Sequence, residues 1–224
     1  MGIRLEKDFF GLPQNIFLCF LYASPANSPY ATTLDNDIFQ ELEKDCNDFH
    51  VEGEIMIAGD LNARSNLYPD YVLDDGDMIS PINQIDHYNI DEPLPRTNMD
   101  ISPVDSHGEK LLDLCKSQSL RILNGRFLDK GSYTRSPTRT GGSPSLIDYF
   151  LIDSPLLNQV RSFNVKPLTH LSDQCCLHGS INTVFCIDNE NEHTPQQINL
   201  YRDCYKPDNI AFKMFQRFLE AKLP

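Results

Sequence analysis

Two short, unbroken apolar runs constrain this chain more than any other feature. Ile16-Phe17-Leu18-Cys19-Phe20-Leu21-Tyr22 extends to Ala23, eight residues without a polar interruption. Ile55-Met56-Ile57-Ala58 follows Glu54 and stops at Gly59. Such runs, rich in aliphatic and aromatic residues and closed by a turn former, predict strands buried on both faces of a covered sheet. They are far shorter than the ~20 apolar residues of a transmembrane helix, so no membrane association is expected.

Helical patterns alternate with these strands. Leu34, Ile38, Leu42 and Cys46 recur every fourth residue, the stripe of an amphipathic helix. Ser106-His107-Gly108-Glu109 has the S-x-x-E form of a capping box, and Leu111, Leu112 and Cys115 continue it as a helical face. Further strands are expected at Leu120 to Leu123, Leu146 to Ile152, Val160 to Val165 and Leu177 to Phe185. Past Ile187 the chain turns polar, and Pro207 opens a helix with Ile210, Met214 and Phe218 on one side. The fold class is therefore α/β (or α+β) around a large sheet system, in two parts: 1–187, and 188–224 as a polar linker and C-terminal helix. A length of 224 residues is ample for a buried core.

Charge is unevenly distributed. The net formal charge is -13, yet residues 106–166 hold 9 basic and 5 acidic groups while 70–105 hold 1 and 9. The acidic stretch is also interrupted by proline, with Pro69 at its edge and Pro81, Pro93, Pro95 and Pro103 within it, and shows no periodicity. It reads as a long irregular loop facing water. The overall acidity argues against tight non-specific binding to a polyanion. The seven cysteines are odd in number and include no C-x-x-C pair, which predicts reduced thiols, mostly buried, and no disulfide-linked partner. Arg4, Glu6, Lys7 and Asp8 exclude a signal-peptide pattern, so an intracellular protein is expected, with nucleus and cytoplasm both open and oligomeric state unassigned.

The chemistry concentrates at Ile57-Ala58-Gly59-Asp60-Leu61-Asn62-Ala63-Arg64. A buried strand ends at Gly59 and then presents a carboxylate and a carboxamide two residues apart. On an extended segment, Asp60 and Asn62 would project to the same side and converge on one ligand. The same residues are also ordinary turn formers, and on spacing alone both readings stand. The full string resembles the G-D-[FL]-N signature of the endonuclease/exonuclease/phosphatase (DNase-I-like) family, and other blocks resemble that family in order. Leu21-Tyr22-Ala23-Ser24-Pro25 closes the first strand. Leu120-Arg121-Ile122-Leu123-Asn124-Gly125-Arg126 and Gly131-Ser132-Tyr133-Thr134 are similar to L-x-I-L-N-G-R…G-x-[FY]-T of retrotransposon-encoded members. Gly142 to Tyr149 contains the S-x-[IV]-D-Y block, and Leu171-Ser172-Asp173 stands where a terminal S-D-H belongs. The likeness spans roughly residues 3–187 and is nearest to the endonuclease domains of LINE-type retrotransposons.

What the resemblance implies is a two-sheet sandwich flanked by helices, hydrolysing DNA phosphodiesters by in-line attack of water with Mg²⁺ or Mn²⁺. It implies that Asp60 orients or deprotonates the water and that Asn62 binds that water or the scissile phosphate. Tyr22 would donate to a phosphate oxygen, and Asp60 and Asp173 would lie at the metal. Asp148 would orient the family's final His. Arg64, Arg126, Arg135 and Arg139, with Arg121 and Lys130, are candidates to contact DNA, and His170 and His178 are expected to be structural or solvated. Two departures stand out. Gln174 replaces the His, and a neutral amide neither exchanges protons near neutrality nor becomes a cation. The family's N-terminal Asn strand and its metal-binding Glu strand have no counterpart, and no polymerase domain follows. An N-terminally truncated, weakened endonuclease is the expectation. The alternatives are a non-catalytic relic or binding module, and a phosphatase acting on small phosphoesters.

Overall fold

The computed structural model describes residues 2–26, 28–29, 37–72, 91–127, 129–136, 142–170 and 172–183, all within the compact unit Met1–Phe185. Leu34, Arg139, most of the acidic stretch (73–90) and the linker and helix expected over 188–224 lie outside the described residues. Strand β1 (Gly2–Leu5) and the single-turn helix α1 (Lys7–Phe10) precede β2 (Asn15–Tyr22). Helix α2 (Ile38–Phe49) leads into β3 (Gly53–Asp60), and α3 (Ser106–Ser117) into β4 (Leu120–Ile122). Strand β5 (Asp148–Asp153), a 3₁₀ helix (Ser154–Gln159), β6 (Val160–Val165) and β7 (Leu177–Ile181) follow.

Five strands make one sheet in the order β1-β2-β3-β5-β4, and β6 and β7 make a second. Only β2 and β3 run parallel; their connection passes through α2, as a parallel pair requires. Alternation along β3 explains the layering. Ile55 and Ile57 face α2 and α3, packing with Phe39, Leu42, Cys46, Leu111, Cys115, Tyr149 and Leu151. Met56 and its neighbour Ile152 face the opposite way, into a cluster with Leu12, Ile16, Leu123, Leu156 and Phe163. Val160, Val165, Leu177 and Ile181 of the second sheet close that side. Each such aliphatic side chain contributes about 1.5–3 kcal/mol by leaving water. The result is a mixed α/β fold of two sheets flanked by helices, as the sequence predicts.

Two expectations change. Strand β2 is not buried on both faces: Phe17, Cys19 and Leu21 face the helices, but Phe20 and Tyr22 are exposed. Strand β1 pairs antiparallel with the outer side of β2 through Gly2↔Cys19 to Leu5↔Ile16. A short, largely exposed, charged strand is an ordinary way to blunt a sheet edge. Helix α3 is capped by Asp105, not Ser106; the Asp105 carboxylate accepts from Gly108 N at 2.7 Å and from Arg64 N at 3.1 Å. The described cysteines are all free thiols, with Cys46 and Cys115 buried, Cys19 and Cys175 half-buried and Cys176 exposed. Among the described residues no helix is long and apolar enough to cross a membrane.

Candidate active site

The site forms where three adjacent strands end in register. Tyr22 of β2 pairs with Asp60 of β3, and Asp60 pairs with Asp148 of β5. Residues opposite one another share a sheet face, so the phenol and two carboxylates stand in a row. Gly59 makes the row possible. Its φ is +151°, and a Cβ there would lie 1.8 Å from the Leu21 carbonyl oxygen, so only glycine lets β3 approach β2 this closely just before Asp60. Tyr22 is 64% exposed, whereas Asp60 and Asp148 are buried.

Beyond β3 the chain makes a turn and a site at once. Asp60 Oδ1 accepts from Asn62 N at 2.9 Å, and Asn62 adopts a left-handed φ of +44° that Asn tolerates. Its Nδ2 donates to Ala23 O at 2.8 Å, while Ala23 N donates to Asp60 O and Leu61 N to Ile147 O. Asp60 and Asn62 are therefore brought together by a side-chain-closed turn, not by the extended spacing that the sequence suggested. Arg64 N meets the α3 cap two residues later.

A third segment completes the arrangement. Cys175 N donates to Thr134 O at 2.6 Å and Ser136 N to Asp173 O at 2.9 Å, zipping 173–175 along 134–136. This delivers Gln174 Nε2 to Asp60 Oδ2 at 2.7 Å and sets Asp173 Oδ2 3.3 Å from Arg135 Nε. Gln174, which stands in the sequence where the His was expected, has Asp60 as its partner and not Asp148. Thr134, which sequence reasoning left without a role, holds the junction. Its hydroxyl oxygen accepts from Ile147 N and Asp148 N, each at 3.0 Å. Its place in the G-x-[FY]-T block was the available signal.

The electrostatics follow from burial. Desolvation pushes the Asp60 carboxyl above its ordinary range, opposed by the hydrogen bonds from Asn62 and Gln174 and by the charge of Arg135. Asp148 is pushed up to about 6, chiefly by burial; Thr134 and Arg135 pull it back while the charges of Asp60 and Asp173 add to the rise. Its Oδ2 is buried without a hydrogen-bond partner.

Several expected DNA contacts are spent on the fold. Arg126, its side chain 5% exposed, holds Asp70 through two nitrogens at 2.6 and 2.8 Å and also donates to Leu94 O. Arg121, 1% exposed, pairs with Asp91 at 2.8 Å. Arg64 Nη1 meets both carboxylate oxygens of Asp100, at 2.7 and 2.8 Å, and Ser102 Oγ. All three answer buried or half-buried acids, Asp100, Asp91 and Asp70, so neither these arginines nor these acids behave as the solvated surface expected from the charge. Lys130 is exposed, and Arg135 pairs with Asp173 and lends its charge to Asp60.

As arranged, these donors do not fit a divalent ion. Among the described residues no group of three His, Cys, Asp or Glu side chains is disposed to hold one. Both Asp60 oxygens accept protein hydrogen bonds, and Asp173 faces a guanidinium.

No family model and no curated protein matches the sequence. Similar solved structures include the endonuclease domain of TRAS1, a telomere-specific non-LTR retrotransposon, at 15% identity and TM-score 0.45, covering 80% of this chain and 61% of that one. The 3'-5' exonuclease NExo from Neisseria meningitidis is similar at 14% identity and TM-score 0.46, covering 77% and 63%. A 3' phosphatase form of NExo bound to a product DNA hairpin is similar at 14% and 0.45, covering 75% and 61%. The chain spans about three fifths of the length of these structures.

Proposed function

We propose that this chain is a DNase-I-like domain of the endonuclease/exonuclease/phosphatase type, closest to the retrotransposon endonucleases, with DNA as its ligand and weak phosphodiester hydrolysis as its activity. The observation that carries the reading is the row Tyr22–Asp60–Asp148 with Gln174 bonded to Asp60, which unites four of the five ordered sequence blocks at one sheet end. Thr134, from the remaining block, fixes Asp148 in that row.

In this reading the Tyr22 hydroxyl donates to a phosphate oxygen. Asp60, its basicity raised by burial, orients the attacking water and takes its proton. Asn62 fixes the Asp60 rotamer through its backbone N–H. Gln174 holds Asp60 Oδ2 but cannot accept or release a proton, and loss of a general acid or base typically costs ~10²–10⁴-fold in rate. The donor set as it stands fits neither Mg²⁺ nor Mn²⁺, so the roles in this reading belong to the side chains alone.

A second reading, a binding module without turnover, draws on one observation: both Asp60 oxygens already have donors, so an attacking water must compete for them. Nicking of supercoiled plasmid with added Mg²⁺ or Mn²⁺ separates the two. Trace nicking that Asp60→Ala abolishes is the expected outcome. Plasmid binding with no nicking selects the binding module, and nicking unaffected by Asp60→Ala removes this site from the reaction.

A further inference from the structure

We propose that Arg135 is the resident cation of this site, so that it takes a DNA phosphodiester without a divalent ion. The proposal rests on the phosphodiester reading above. Arg135 is pinned from both sides: its N and O pair with Ser145 at 2.9 and 3.0 Å, and it forms a second antiparallel bridge with Gln174. Its backbone thus lies between the segment entering β5 at Asp148 and the segment carrying Asp173 and Gln174. The side chain is 43% exposed and reaches Asp173 through Nε at 3.3 Å. Its two terminal nitrogens have no hydrogen-bond partner among the described residues.

One carboxylate meets this guanidinium directly. Asp173 touches it, and its charge acts on both Asp60 and Asp148. At Asp60, an ion such as Mg²⁺ would need oxygens that already accept hydrogen bonds, and would sit beside a fixed positive charge. A guanidinium has the opposite preference: its free fork matches two phosphate oxygens at once. Among the described candidate arginines, Arg64, Arg121 and Arg126 are committed to Asp100, Asp91 and Asp70, which leaves Arg135 facing the row. Tyr22, exposed and in register with Asp60, supplies a neutral donor to the same anion.

Fluorescence anisotropy of a short labelled DNA duplex at low ionic strength tests this, comparing EDTA with Mg²⁺ for the wild type, Arg135→Gln, Arg135→Lys and Asp173→Asn. Wild-type binding should survive EDTA unchanged. Arg135→Gln should weaken it roughly tenfold or more, the loss expected for a charge-assisted hydrogen bond. The same variant should reduce the salt slope by about one, while Arg135→Lys should fall between it and the wild type. Asp173→Asn should tighten binding, because it removes the carboxylate competing for the guanidinium. Wild-type binding that EDTA abolishes and Mg²⁺ restores, with Asp173→Asn weaker, would overturn the proposal and leave the phosphodiester reading standing. So would Arg135→Gln binding like the wild type. Absence of binding in every condition would remove the phosphodiester reading itself. Should the Gln variant fail to fold by near-ultraviolet circular dichroism, the Lys and Asp173→Asn variants, with their opposite expected signs, decide the matter.

Discussion

Asp148 carries a buried oxygen with no partner, and the cost of ionising it is set by its surroundings. Its carboxyl titrates near about 6 in the folded chain, against roughly 3.9 when unfolded. The folded state therefore holds more protons through that interval, and this residue's contribution to stability falls as pH rises through it. Asp148→Asn mimics the protonated form at every pH. Thermal unfolding of the two proteins should give midpoints that nearly coincide near the unfolded value, then separate in favour of the variant up to about pH 6, after which the gap stays constant. A gap independent of pH would mean that Asp148 does not carry the shift. The sequence marked Asp148 as an ionisable group needing a partner, but which side chain would answer it depended on a segment some 25 residues away. That segment gave Gln174 to Asp60 instead.

Elements were readable where periodicity was strong, and less so at their ends. The sequence predicts β3, α3 and β6 almost as observed, because an apolar run and a helical stripe are local signals. It places the α3 cap one residue late, since Asp105 is recruited jointly by α3 and by Arg64 N from the loop after β3. Asp105→Ala should cost at least the ~1 kcal/mol of an ordinary N-cap in urea unfolding, and more because Arg64 N–H loses its acceptor too. Gly59→Ala should be worse still, since alanine would have to enter the Leu21 carbonyl at a φ that L residues avoid. Destabilisation well above about 1 kcal/mol is expected, with loss of DNA binding; a neutral effect would mean that β2 and β3 can separate without harm to the row.

At the scale of the molecule, the described acids Asp70, Asp91 and Asp100 act as internal counter-charges. Asp70 is fully buried, and although burial opposes its ionisation, Arg126 holds its carboxyl below the ordinary range. Asp100 answers Arg64, and Thr97 N and Met99 N donate to Gly125 O and Gly131 O, fastening 91–105 across the loops that follow β4. Gly125, with φ +81°, admits the Thr97 carbonyl where a Cβ would lie 1.8 Å from it. Asp70→Asn should cost roughly 3–5 kcal/mol in equilibrium unfolding, because it strands a buried guanidinium. The exposed pair Arg4–Glu52 should show the contrast, with Glu52→Gln costing about 0–1 kcal/mol. Equal effects at the two sites would deny the stretch its internal role.

The amino-acid order determined which segments become strands and helices, since that depends on side chains near one another along the chain. It also determined that Gln stands where an imidazole was expected. Tertiary structure alone decided how charge is used, because an arginine's fate depends on which carboxylate the fold brings within a few ångströms. Arg126 and Asp70 are far apart in sequence yet locked together in the interior, while Arg135 is left half-exposed beside Asp60, Asp148 and Asp173. Register did the rest: Tyr22, Asp60 and Asp148 form one row only because three strands end together.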